Sequence, residues 1–540
     1  MEQDQSLTRR QFLAGAAGLL AFSSCRRSFD SVSEISGEII GASHKLGHLL
    51  KSSSFPSPVK TERTTVVIIG GGISGLSAGW KLLRSGVKDF VILDLEAAAG
   101  GNSRSGKSPL GSYPWGAHYV PFPSPESRAV SELFRELKIE TGRDSNGRPV
   151  YDERYVCFAP QERIFINGRW EEGLFPKGGA SEGELRQYKQ FQEKMAIYRR
   201  RRGADGKMAF VIPMALSSQD PQLLALDKIS MAEYLRRNDW TSPRLAWYLD
   251  HCCRDDFGTR LADTSAWAGI HYFASRGEGE NGQVLTWPEG NDFIAGRLAS
   301  MMESRLLLSR LAVSVVSSPE GVSVVSLDPV SGTSVRYLCR SAILAVPQFV
   351  AERIAPALAE RSLAKSFRHT PWVVANVTVD EPPSGEGAPP SWDNVIHGDE
   401  SLGYVSAGHQ TLATGRRSDV WTWYLPLDHG DPAAARRKAL ETTWPQWRDR
   451  VLASLGRAHP GIEKKVRRID VMVWGHGMVR PEPGFVWGAE RRRACEPVGA
   501  IFPAHSDLSG FSLFEEAQYR GVLAAQKAMA RLNHPFRASV

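Results

Sequence analysis

Val66-Val67-Ile68-Ile69-Gly70-Gly71-Gly72-Ile73-Ser74-Gly75 is the stretch whose reading decides the fold. The β-branched run Thr64 to Ile69 reads as a buried parallel strand. Gly70 permits a tight turn, and Gly72 lets the backbone approach a pyrophosphate. Gly75, with Gly79 one turn later, lets the following helix pack close to the strand. That helix covers Leu76 to Arg84 and stops at Gly86, and Phe90 to Leu93 forms the second strand. The helix N-terminus offers amides and a positive dipole end to phosphates. Asp94 follows Gly75 by nineteen residues and ends the second strand, where a carboxylate accepts hydrogen bonds from ribose hydroxyls. Glu96 competes for that role, and strand alternation favours Asp94. The expected class is α/β, with a Rossmann-like dinucleotide domain.

Gly100-Gly101-Asn102-Ser103 begins six residues after Asp94. With this second glycine turn the chain resembles the superfamily of FAD-dependent amine oxidases and phytoene-desaturase-like enzymes. The resemblance implies FAD, with Gly100 and Gly101 near the flavin phosphates and ring. The family's arginine directly after Gly-Gly is Asn102 here, with Arg104 two residues on, so either of these two is expected to meet the flavin.

Further stretches follow in family order. Tyr113-Pro114-Trp115-Gly116-Ala117-His118 is similar to the segment beneath the flavin. Leu311-Ala312-Val313 resembles the segment whose valine backbone meets the adenine, and Ala342 to Pro347 resembles the strand that re-enters the FAD domain. Ile501 to Asp507, then Glu515-Glu516-Ala517 and Gly521 to Ala525, resemble the C-terminal flavin motif. By that likeness Asp507 serves the ribityl or pyrophosphate and Glu516 lies at the start of a helix aimed at the ring. A helix N-terminus there would stabilise anionic reduced flavin.

The resemblance extends over residues 63 to 535 and implies an interleaved plan. FAD-binding parts cover 63–125, 286–350 and 486–535, and a mixed α+β substrate domain covers 126–285 and 351–485. It implies an oxidoreductase passing a hydride equivalent from an organic small molecule, at a C–N or C–C bond, to FAD. Many amine oxidases carry a lysine five residues after the proline of the re-entering strand, where Glu352 stands, and a tyrosine where Leu513 stands. Both departures argue against a simple amine oxidase. Trp267, His271, Tyr272, Trp287, Tyr404, His409, Trp423, Tyr424, Trp474 and His476 are the aromatic candidates for a substrate face. Only His476, flanked by Gly475 and Gly477, is put forward for catalysis. Two rivals are an escort protein on the same scaffold and an NAD(P)H-linked flavin reductase. The latter needs a second G-x-G-x-x-G after a strand in mid-chain, and none in that context is found.

The first 25 residues read as an address. Thr8-Arg9-Arg10-Gln11-Phe12-Leu13 resembles the twin-arginine export motif, and Phe22-Ser23-Ser24-Cys25 resembles a lipobox with its leucine replaced. The expectation is export by the twin-arginine machinery to the periplasm, with Cys25 either lipidated or not. Export of a folded protein suits a chain that must take up its cofactor first. Residues 26–62, rich in Ser and Pro, read as a linker. The remaining five cysteines lack metal-type spacing and form no disulfide framework. The net charge of +7 is mild, and no aromatic platforms accompany the runs Arg199–Arg202 and Arg491–Arg493, so no nucleic acid is expected.

Overall fold

The computed structural model describes residues 35–52, 54–276, 283–411 and 417–540. The twin-arginine stretch and Cys25 lie outside the described residues. Two sheets organise the rest.

The first is seven-stranded and starts from the apolar run read above. Pro58–Ile69 lies parallel to Phe90–Leu93 on one side and to Ser334–Leu344 on the other. The strand Ser334–Leu344 pairs antiparallel with Gly321–Leu327 along its first half and parallel with Ile501–Pro503 at its end. Three widely separated segments thus meet in one sheet, and their C-terminal ends open onto one crevice. Ile73–Arg84 covers one face, and Phe514–Arg531 packs against that helix. The approach is close: a Cβ on Gly521 would stand 2.0 Å from the carbonyl oxygen of Ser74. Gly521→Val is therefore expected to cost about 1–3 kcal/mol by overpacking. Thermal melting of FAD-free protein checks this; an unchanged midpoint would contradict the packing described.

The second sheet has eight strands, with Val466–Val479, His369–Asp380 and Ser418–Pro426 at its centre. Alternation sorts its side chains. Val373, Ala375 and Trp423 face one cluster, which the helix Trp444–Ala458 covers. Trp372, Val374, Tyr424 and Trp474 face the other, toward the first sheet. A helical layer built around Phe191, Leu249 and Trp267 completes this half.

The stretch expected as a linker is ordered from Ile35 onward. Ile39–Gly41 adds a parallel edge strand beside Val466–Val479, and His44–Gly47 and His48–Lys51 form two short helical turns. Pro58 already belongs to the first sheet. The physical reason is the scattered apolar residues within the polar composition: Ile35 and Leu50 are both buried.

Candidate active site

The two glycine turns face each other. The amide of Gly100 donates to the carbonyl of Gly71 at 2.8 Å, and Gly72 and Gly100 form an isolated parallel bridge. Gly70 has φ +102°, which favours glycine. A Cβ on Gly75 would stand 1.8 Å from the Gly70 carbonyl, whereas one on Gly72 would meet nothing closer than the Gly101 Cα at 4.0 Å. Space is therefore reserved at Gly72, above a helix whose first turn has no side-chain cap and no acid. Uncapped amides beside an open cradle suit a diphosphate.

Asp94 closes the second strand beside this slot. Its Oδ2 accepts the Gly71 amide and its Oδ1 the Glu96 amide at 2.8 Å, which fixes the carboxylate for ribose hydroxyls. Glu96 is occupied elsewhere: it accepts from the amide and hydroxyl of Ser43 and pairs with Arg104 at 3.1 Å. Val313 is the extra residue where the register between Leu311–Ser318 and Gly321–Leu327 slips, so it has no cross-strand partner. A valine backbone freed this way suits contact with an adenine edge.

Toward the ring end a cavity opens against the second sheet. Asn102 and Gly116 line one side and Gly477, Ser512 and Leu513 the other. Asn102 bridges the halves by donating to the Gly477 carbonyl at 2.8 Å. Arg104 does not line this cavity; it reaches Glu96 and lies 5.3 Å from the Trp474 ring centroid. Leu513, where relatives of this type would carry tyrosine, does line it, and the aromatic walls come from Tyr424, Trp474 and Trp372. Tyr424 donates to the Gly116 carbonyl at 3.0 Å and Trp474 to that of Trp115 at 2.6 Å.

The acids and histidines proposed from sequence fall in different places. Asp507 is buried between His369, at 2.9 Å, and His505, at 3.1 Å. Burial alone would raise its carboxyl, but the two histidines outweigh burial and hold it well below the usual range. Glu516 points away from the cavity into the core, accepting the Met214 amide. Its neighbour Glu515 lines the cavity instead. His476 lies outside the cavity lining, open to solvent and stacked on Phe349 at 4.2 Å. Although the residue as a whole is exposed, burial of its ring against neighbours such as Phe349, then the charge of Arg436, lower its pKa. Glu352 accepts the amides of Leu363 and Ala364 at 2.7 Å, a structural duty. No lysine lines the cavity among the described residues.

Of the aromatic candidates, Tyr424 and Trp474 line the ring cavity, and Tyr272 and Tyr404 line a second cavity. His118, Tyr119, Asp255, Arg276 and Tyr424 line both, so the two adjoin. Trp267, His271, Trp287 and Trp423 are core, and His409 is tied to the Phe158 carbonyl at 2.9 Å.

What the sequence reading missed is a group of carboxylates. Asp255, Asp256 and Glu515 line the ring cavity, and Glu162 and Asp393 line the adjoining one. Burial pushes Asp255, Glu515 and Glu162 each up to about 7, and Asp393 well above the usual range. Among the described residues Arg276 is the only lysine or arginine lining the ring cavity, and its guanidinium is bound to Asp256 and stacked 4.0 Å from the Tyr272 ring. Asp255 and Asp256 stand in the last turn of Pro243–Phe257, at the negative end of a helix, where stability favours cations. Buried acids placed against that gradient are a functional signal. His118, between the cavities, is kept neutral by burial, with a pKa lowered to about 4.

The fold is a Rossmann-like α/β arrangement of amine-oxidase-like architecture. Residues 68–137 match the NAD(P)-binding Rossmann-like domain family. Polyamine oxidase 7 from Oryza sativa subsp. japonica is 32% identical over 124 residues, which is 22% of this chain. The match spans about a quarter of that relative's length (26%). Among solved structures, a cofactor-binding redesign of putrescine oxidase superposes with a TM-score of 0.64 at 16% identity, covering 87% of this chain and all of that one. A fatty acid isomerase from P. acnes that produces CLA superposes at 0.61 and 15% identity, covering 86% of this chain and 98% of that one. One scaffold therefore carries different reactions, and the site must decide among them.

Proposed function

We propose that this chain is an FAD-dependent oxidoreductase that oxidises a cationic amine. The observation that carries the reading is the set of buried carboxylates lining the ring site and the cavity adjoining it, where Arg276 is already bound to Asp256 and Arg199 donates to the Phe273 carbonyl. Such a lining favours a positively charged substrate and opposes a fatty acid, whose carboxylate would meet like charges. The partial relationship to a polyamine oxidase and the likeness in fold to putrescine oxidase support the same direction.

The residues present fit FAD: a glycine cradle at uncapped helix amides, a fixed carboxylate at Asp94, and an unpaired valine backbone at Val313. When bound, FAD supplies the two-electron acceptor for the substrate's α-C–H bond. The protein does the rest. Asp255 and Glu515 hold the ammonium, and the carboxylate form of either, near pH 7, takes the N–H proton that leaves as the carbon is oxidised to an imine. Tyr424, Trp474 and Trp372 exclude water and orient the carbon beneath the ring position. Glu162, further out, suits a second positive group on the same molecule.

Anaerobic titration of the yellow protein tests this. Diamines are expected to bleach the flavin at lower concentrations than monoamines of equal length, and fatty acids not at all. Bleaching by fatty acids or neutral compounds alone would end the amine reading. Absence of flavin after reconstitution would end the reading altogether.

We also propose that the protein acts outside the cytoplasm, on the strength of Arg9-Arg10 and the weakly apolar stretch behind them. Replacing both by lysine is expected to retain a folded, flavin-loaded protein in the cytoplasm. An unchanged distribution on fractionation would exclude the twin-arginine route.

A further inference from the structure

The segment from Ser43 to Lys51 has no part in either sheet's hydrogen bonding, yet it is held at both ends and in the middle. Ser43 is bound through its amide and hydroxyl to Glu96, two residues past Asp94. Gly47 passes so close to Leu95 that a Cβ would stand 3.6 Å from its side chain. Leu50 is buried among Ile69, Leu93 and Val313, the residues at the mouth of the crevice, and its carbonyl accepts from Arg353 at 3.2 Å. The segment therefore crosses the crevice at the C-terminal ends of the parallel strands, beside both residues assigned to the adenosine end.

Its composition is one-sided. His44, Lys45, His48 and Lys51 fall within eight residues that contain no acid. Burial first, then Lys51, His44 and Arg436, lower the pKa of His48, and Arg436 Nη1 lies 3.4 Å from His476 Nδ1. Like charges gathered together are unfavourable without an anion between them.

We propose that Ser43–Lys51 is a cofactor-retaining strap that closes over the adenosine diphosphate half of FAD, with Lys51 adding positive charge on the diphosphate side. The inference rests on the FAD reading above. The strap adds charge and excludes water at the end of the cofactor far from the reacting ring, so its effect falls on retention rather than on chemistry.

Two measurements on the full-length protein test it. The first is the release rate of FAD, followed by recovery of flavin fluorescence on dilution. His48→Glu with Lys51→Glu, both at exposed positions, is expected to speed release by about tenfold or more, with melting of the FAD-free protein unchanged. The second is tryptic cleavage after Lys45 and Lys51. FAD and ADP are expected to slow it strongly, and riboflavin not at all. An unchanged release rate, or cleavage indifferent to FAD and ADP, overturns the strap while leaving flavin binding intact. Protection by riboflavin alone overturns its placement. A protein that binds no FAD fails at the first spectrum and removes both proposals.

Discussion

Asp255→Asn is expected to raise KM for an amine substrate about 30- to 100-fold with a smaller loss in kcat. Removing one partner of a buried charged contact costs about 2–3 kcal/mol, and each 1.4 kcal/mol is tenfold in binding. The pH profile gives a separate check. Asp255 and Glu515 ionise near 7, while an aliphatic ammonium keeps its charge to well above that. KM in the wild type should therefore fall as pH rises through about 7, and this limb should flatten in Asp255→Asn combined with Glu515→Gln. The two acids interact, so the limb reports the pair rather than either one. Stability should move the opposite way. A carboxyl whose folded pKa lies above its unfolded value binds a proton in the native state that the unfolded chain has lost. Each such group makes the protein progressively less stable between about pH 4 and 7, with the full penalty above 7. Asp255→Asn should thus melt higher than wild type at pH 8 and nearly level with it at pH 4. A wild-type KM flat from pH 6 to 8, or no gain in melting temperature at pH 8, would remove the carboxylates from substrate binding.

Gly72→Val should produce a folded protein that has lost FAD. The backbone there has φ −75°, open to any residue, and a Cβ meets no atom within 3.9 Å. The valine would project into the space reserved for the diphosphate, so the loss falls on the cofactor rather than on the fold. We expect FAD affinity to drop at least about 100-fold, or about 3 kcal/mol by the same conversion, with only about 1 kcal/mol of lost capping at the helix start. Gly75→Val is the contrasting control. Its Cβ would collide with the Gly70 carbonyl, so it should lose both flavin and cooperative melting. Absorbance at 450 nm against 280 nm, with a melting curve, separates the outcomes. A Gly72→Val protein as yellow as wild type would place the cofactor elsewhere.

The difference between these two sites shows what could be read from the chain beforehand. The glycine turn, its strand and helix, and Asp94 depend on local backbone geometry, which leaves a spacing in the sequence. The first sheet could be ordered for the same reason, since each re-entering strand carries its own apolar run. The substrate cavity left no such trace. Trp423 and Tyr424 are adjacent in one strand and point to opposite faces, one into core and one into the cavity. Composition cannot choose between them without knowing which face is covered. Glu515 and Glu516 differ by about 100° around one helix, and the face toward the ring is set by how that helix docks. Asp255 and Asp256 did carry a signal, two acids at the C-terminal end of an amphipathic helix. It becomes legible only once the end of that helix at Gly258 is known.

The strand Ile39–Gly41 is hydrogen-bonded into one sheet, and the next strand, from Pro58, into the other. The chain between them acts as a clasp. Asn376, Asn102, Tyr424 and Trp474 fasten the same two bodies from beneath the ring position. A molecule held on both sides in this way is expected to turn over without hinge opening. Traffic would then pass His118 and Tyr119, which line both cavities. The enzyme would then sort its substrates by girth as well as by charge, and slender chains bearing positive ends would pass where branched ones of equal charge stall.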